Sequence, residues 1–268
     1  MSNLHVEHHF LSLSRLSSFR LILPDKLPPE LTAGNPHYDR PAKTLFLLHG
    51  YSGSSSDWLY NSPAGYIAMK YNLAVVFPDG DVSFYVDGPA TGRAYGTFIG
   101  QELPAFLHDT FGLSMKPEDT MIGGLSMGGF GALHTALAHP EVFGGVFALS
   151  SALIIHTDAI SDKPDDERGP MANRAYYESC FGDLSKLEES DHNPEVLVKK
   201  LKAAKAPIPK IYMACGSEDF LIKQNRAFHD FLVSEKVPVR YEEDHGVHDW
   251  DFWNRFFEPA LKYLLDCK

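Results

Sequence analysis

The stretch Met121–Gly131, MIGGLSMGGFG, limits what this chain can fold into more than any other. Within it, Gly124-Leu125-Ser126-Met127-Gly128 fits the G-x-S-x-G pattern of a nucleophile elbow. The apolar run Thr120-Met121-Ile122 before it reads as a buried strand. Phe130–Ala138 after it reads as a helix ending near Pro140. A serine lifted above a sheet on such a tight turn has a strained backbone. Side chains two residues to either side would collide with the neighbouring strand and helix, so Gly124 and Gly128 keep that space open. The turn also sets Ser126 at a helix N-terminus, where N–H groups and the helix dipole favour a developing negative charge. The alternative is a glycine-rich turn with an incidental serine, which the strand–turn–helix context disfavours.

The rest of the chain repeats that alternation. Thr44–Leu48, Leu73–Phe77, Val142–Leu149 and Lys210–Gly216 are continuous apolar runs, as expected of strands buried on both faces of a parallel sheet. His5–Phe10 and Phe19–Leu23 precede them as looser strands, and Val237–Tyr241 follows as a late one. Helices are expected around Pro63–Lys70, over Phe98–Asp109 with Pro104 disturbing the start, over 221–235 and over 250–265. The aromatics Trp250, Phe252, Trp253, Phe256 and Phe257 of the last helix read as core packing. The pattern predicts an α/β protein with a mostly parallel, doubly wound sheet. Between about 155 and 209 the composition turns to Asp, Glu, Lys and Pro, with helical stretches at Ala172–Cys180 and Glu195–Ala204. This segment reads as a helical lid inserted into a single domain spanning 1–268. Ordinary crossover helices are the alternative.

Composition excludes several classes. A net charge of −11 disfavours nucleic acid and anionic membrane surfaces as partners. No stretch approaches membrane-span length, and MSNLHVEHHF lacks a basic start followed by an apolar run. Cys180, Cys215 and Cys267 are odd in number and scattered, which suits a reducing cytoplasm. His5, His8 and His9 read as the exposed face of an edge strand. Asp79, Asp81 and Ser83 resemble a calcium loop only superficially, because Phe84 stands where glycine is needed. No metal and no cofactor is expected.

A serine at neutral pH needs a base, and the base needs an acid to fix its tautomer. After an elbow serine the acid and then the histidine follow in chain order. Glu218, Asp219 and the more distant Asp183 compete for the acid; Asp219, just past a core strand, is preferred. His245 and His248 compete for the base; His248, directly ahead of the final helix, is preferred. His49-Gly50-Tyr51-Ser52-Gly53 follows the strand that supplies the second oxyanion donor in such sites. The expected donors are the backbone N–H groups of Tyr51 and Met127. His49 precedes the serine and is expected to shape its loop.

These residues resemble the esterase D-like α/β-hydrolases, which include S-formylglutathione hydrolases, tributyrin esterases and family 1 carbohydrate esterases. The resemblance rests on Leu47-Leu48-His49-Gly50 with Asp57-Trp58, Gly123–Gly129, Cys215-Gly216-Ser217-Glu218-Asp219 and Gly246-Val247-His248-Asp249-Trp250 with Trp253. It spans nearly the whole chain from about residue 10. It implies the α/β-hydrolase fold, the triad Ser126, Asp219 and His248, and a small-molecule substrate carrying a short acyl ester, including acetylated or feruloylated carbohydrate. The tributyrin esterase type is the nearest likeness, through Leu11–Arg15 and the Pro78–Tyr85 loop. S-formylglutathione hydrolases carry Thr-Cys soon after the His-Gly, where Tyr51-Ser52-Gly53 stands here. Trp58, Tyr85 and Tyr176 are candidates for lining the pocket, with plain packing as the alternative. Family likeness also makes a homo-oligomer plausible. Thioester hydrolysis or acyl transfer to an alcohol is the alternative activity; a catalytically silent binding module is the alternative from another class.

Overall fold

The computed structural model describes residues 1–24, 27–157, 160 and 172–267. Eight strands among them form one sheet: β1 (Ser2–Phe10), β2 (Arg15–Leu23), β3 (Lys43–Leu48), β4 (Leu73–Pro78), β5 (Thr120–Leu125), β6 (Gly145–Leu149), β7 (Lys210–Gly216) and β8 (Val239–Asp244). Their spatial order is β1-β2-β4-β3-β5-β6-β7-β8. β1–β2 and β2–β4 are antiparallel; every pair from β4–β3 to β7–β8 is parallel. The doubly wound expectation therefore holds, with an antiparallel hairpin at one edge. His5, His8 and His9 lie on that edge and are exposed.

Alternation along the strands divides the core in two. Phe46 and Leu48 of β3 and Ala74 and Val76 of β4 face one apolar layer. Leu45, Leu47, Leu73, Val75 and Phe77 face the other. Successive side chains point to opposite faces, so a strand covered on both sides must be apolar throughout. The first layer is closed by α2 (Leu103–Phe111), α3 (Met127–Ala138), α5 (Pro194–Ala204) and α6 (Ile222–Ser234); the second by α1 (Ala64–Tyr71) and α7 (Trp250–Leu264). α4 (Arg174–Phe181) lies between α3 and α5 in the chain.

Two boundaries differ from expectation for local reasons. Pro104 does not break its helix. A π-turn over Phe98–Glu102 leads into α2, and Pro104 falls in the first turn of α2, where a missing N–H is tolerated. β6 starts at Gly145 because the Val142 and Phe143 N–H groups both bond to the His139 carbonyl in a turn.

Of the expected lid, residues 158–159 and 161–171 lie outside the described residues. In the described part, α5 sets Leu197 and Val198 into the same core layer as α3, as an ordinary crossover helix would. α4 packs Tyr177 and Phe181 around Phe84, with Phe181 also edge-on to Phe130. Among the described residues, no helix is long and apolar enough to cross a membrane.

Candidate active site

Ser126 occupies the turn from β5 into α3 with φ 55° and ψ −120°. A non-glycine residue in that region costs about 1–3 kcal/mol, which the surroundings must over-determine. They do so through the backbone. The Ser126 N–H donates to Leu149 O at 2.9 Å, and its carbonyl accepts from Gly129, Phe130 and Ala152 N–H. The flanking glycines are required sterically. A Cβ on Gly124 would lie 2.2 Å from Gly128 O, and one on Gly128 would lie 2.3 Å from Leu48 O.

Asp219 sits three residues past β7 and is buried. Its Oδ2 accepts from His248 Nδ1 at 2.8 Å, and its Oδ1 from Leu221 N–H at 2.8 Å. Burial works to raise its pKa. The hydrogen bonds from His248 and Leu221, with a contribution from Ser150, outweigh burial and hold the carboxyl below its ordinary range. The Nδ1–H···Asp219 bond fixes the imidazole tautomer and leaves Nε2 as the free base. The ring is held between Phe220, at 4.6 Å between centroids, and Trp253, edge-on at 5.0 Å. Trp253 Nε1–H in turn donates to the buried Ser150 hydroxyl at 3.1 Å.

The competing residues form a separate pair. His245 Nδ1 lies 2.9 Å from Glu218 Oε2, and both side chains are well exposed. Asp183 instead accepts from Ser185 N–H as the cap of a short 3₁₀ turn. The acid and base preferred from chain position are thus the buried pair.

His49 is buried with both ring nitrogens engaged. The Gly80 N–H donates to Nε2 at 2.9 Å, which requires Nε2 to be unprotonated. Nδ1 lies 2.8 Å from Gly50 O and so carries the proton. A ring used at both ends shapes its loop and has no lone pair left for a substrate proton. In that loop the Tyr51 N–H, like the Met127 N–H at the start of α3, donates to no other group among the described residues. Likewise, the Ser126 hydroxyl makes no hydrogen bond to the His248 ring among the described residues.

Ser126 and His248 open onto one cleft of about 410 Å³, walled by the Gly50–Gly53 loop, Asp57, Leu125, Phe220, Asp249, Trp250 and Trp253. Two pocket-lining expectations fail. Trp58 is 1 % exposed; its indole N–H donates to Leu48 O at 2.9 Å, and its ring packs on Phe147 and Phe257. Tyr85 is fully buried, donates to His49 O, and its ring fills the space beside Gly80 and Gly131. Both are large side chains whose single polar group finds a backbone carbonyl inside. Tyr176 is not among the residues that line the cleft; its ring lies edge-on to that of Tyr51, which does, at 5.4 Å. The aromatics that do line the cleft are Tyr51, Phe220, Trp250 and Trp253; the last two, which the sequence assigns to the core, face the site. Their signal was adjacency: Phe220 follows Asp219, and Trp250 follows His248-Asp249.

Comparison with known proteins agrees with this geometry. The family model described as "Putative esterase", of the Esterase family, matches residues 17–264. An acetyl esterase of Caldicellulosiruptor saccharolyticus is 48% identical over 222 residues, covering 83% of each chain. Among solved structures, the substrate-bound fluorophosphonate-binding serine hydrolase F of Staphylococcus aureus superposes with a TM-score of 0.82 at 27% identity, over 98% of each chain. The S-formylglutathione hydrolase of the same organism gives 0.80 at 27% identity, again over 98% of each chain. This chain belongs to the Esterase family and is a serine carboxylic ester hydrolase with the α/β-hydrolase fold.

Proposed function

We propose that Ser126, His248 and Asp219 are the nucleophile, base and acid of a triad that hydrolyses short-chain acyl esters, acetyl to butyryl, through an acyl-enzyme. The observation that carries this reading is the buried 2.8 Å Asp219–His248 bond beside a cleft shared with the strained Ser126. Ser126 Oγ attacks the acyl carbonyl carbon as His248 Nε2 takes the hydroxyl proton. The carbonyl oxygen becomes an oxyanion and accepts from the Tyr51 and Met127 N–H groups. The tetrahedral intermediate collapses, the bond to the alcohol oxygen breaks, and His248 returns the proton to the leaving alcohol. Water then attacks the acyl-Ser126 ester, His248 again takes and returns the proton, and the carboxylic acid leaves. Each oxyanion donor in such a site contributes roughly a hundred- to thousandfold in rate. Asp219 stays ionised throughout and stabilises the imidazolium.

The acetyl esterase relative supports acetyl as the acyl group. Acetylated and feruloylated carbohydrate remain candidate substrates. The second reading, thioester hydrolysis, is favoured by the likeness to S-formylglutathione hydrolase. A cytoplasmic location, a homo-oligomer and a covering role for the 155–209 segment belong to the same proposal. The test is hydrolysis of p-nitrophenyl acetate through octanoate, alongside methyl ferulate, an acetylated xylo-oligosaccharide and S-formylglutathione. Activity should peak at short acyl chains and fall to background in Ser126→Ala. A folded wild type that cleaves none of these, or a Ser126→Ala variant with unchanged rate, refutes the proposal.

A further inference from the structure

The charge of the cleft bears on the alcohol part of the substrate. Among the described residues lining it there is no lysine or arginine, but there are two carboxylates, Asp57 and Asp249. Each spends one oxygen on backbone. Asp57 Oδ1 accepts from Ser54 N–H at 3.2 Å, and Asp249 Oδ1 caps α7 through Phe252 N–H at 2.9 Å. Among the described residues, their Oδ2 atoms accept no hydrogen bond and neither residue joins an ion pair. Local structure therefore accounts for one oxygen of each, while two negative charges face the cleft with no balancing cation among the described residues that line it.

In the proposed mechanism the Asp249 charge falls on the leaving-group side, and Asp57 adds a second negative charge to the same cleft. His248 must hand its proton to the departing alcohol, so that alcohol lies on the His248 side of the reacting carbon. Asp249 and Trp250 follow His248 directly in the chain, and Phe220 and Trp253 flank its ring. Aromatic rings combined with unneutralised carboxylates form an environment that attracts an organic cation, through the ring quadrupoles and direct charge. The net charge of −11 acts in the same sense at long range, raising the local concentration of cations and repelling anions.

We infer that this esterase prefers esters whose leaving alcohol carries a positive charge, such as a quaternary or primary ammonium group, and discriminates against anionic leaving groups. Asp57 and Asp249 are the specificity-determining residues. The inference rests on the proposed triad, because the triad is what assigns the alcohol to that side. It also sets the cleft against a glutathione thioester, whose leaving group is a net anion.

The experiment uses three acetate esters of similar size: acetylcholine, its uncharged isostere 3,3-dimethylbutyl acetate, and the anionic 4-acetoxybutyrate. The readout is the ratio of kcat/KM values, which a purely structural role for either aspartate would not move. Acetylcholine should exceed its isostere by about five- to tenfold at low ionic strength, with 4-acetoxybutyrate slowest. The preference should shrink toward unity in 0.5 M salt, on the order of a threefold shorter screening length than at 0.05 M. Asp57→Asn combined with Asp249→Asn should bring the ratio to about one while retaining both backbone caps. A wild-type ratio of one or below, or a ratio unmoved by salt and by the double variant, overturns the inference. The wild-type salt series stands by itself if the double variant does not fold. Parallel p-nitrophenyl acetate assays separate the two layers. Activity lost in Ser126→Ala but without charge preference sinks only this inference; absence of any Ser126-dependent hydrolysis sinks the triad and the inference together.

Discussion

Glu218–His245 and Asp219–His248 offer two acid–histidine pairs built from adjacent acids, at almost the same separation, 2.9 and 2.8 Å. What differs is solvent. The side chains of the first pair are 48% and 86% exposed; those of the second are 0% and 19% exposed. Both carboxyls are held below the usual range, but for different reasons. Glu218 gains from the Ser217 hydroxyl first, then from the Gly246 N–H and His245, against little burial. Asp219 is pushed upward by burial, and the bonds from His248 and Leu221 must overcome that. A pair in water contributes little, because solvent screens the charges and the side chains lose entropy in pairing. A buried pair cannot relax, so removing one partner leaves the other uncompensated. Distance alone therefore does not separate the two pairs; burial does, and it is what favours Asp219–His248 as the proposed dyad.

The largest expected effect is at the buried pair. His248→Ala should lower kcat on p-nitrophenyl acetate by about 10⁴- to 10⁶-fold, and Asp219→Asn by roughly 10⁴-fold, with circular dichroism unchanged. A loss under tenfold in either variant would erase the distinction between the pairs.

His134 sharpens the comparison by supplying burial without an acid. It lies on α3, and its Nε2–H donates to Asp191 O at 3.0 Å. Burial, reinforced by the neighbouring His192, lowers its pKa from 6.5 to about 4. The folded state therefore holds the ring neutral while the unfolded chain takes up a proton below pH 6.5. Stability is unaffected above that pH and is lost as pH falls toward 4. Between pH 7 and 4.5 this amounts to about 2–3 kcal/mol, or on the order of 5–10 °C in Tm. His134→Gln should lose correspondingly less Tm over that interval; calorimetry showing equal losses in both proteins would refute the assignment. Asp219 titrates with the opposite sense. Its depressed pKa contributes stability above its unfolded value near 3.8, which disappears only as pH falls through the still lower folded value.

The smallest effect is expected at the surface. Glu218→Gln and His245→Ala should each leave kcat/KM within about twofold and the thermal midpoint nearly unmoved, because solvent screens an exposed pair. A tenfold loss in steady-state assays would mean that the exposed pair supports the Gly246–Asp249 loop through the Glu218 bond to Gly246 N–H.

Much of the fold was legible because its signals are local. The strands Lys43–Leu48 and Lys210–Gly216 are apolar at nearly every position, which only double-sided burial explains. Gly124 and Gly128 announced the elbow because a Cβ at either would meet backbone, whatever the rest of the chain does. The order serine, acid, histidine was equally readable. Trp58 and Tyr85 are core residues rather than cleft residues, because sequence proximity to the His-Gly loop says nothing about which side of that loop a ring falls on.

The sheet, the elbow and the short set of candidate acids and histidines are thus legible in the chain, since periodicity and backbone sterics act over a few residues. Which acid meets which histidine, which aromatics line the cleft and which fill the core follow instead from how distant segments pack. Those outcomes depend on burial, and burial is set by segments far apart in sequence, such as Ser150 and Trp253 meeting behind Asp219.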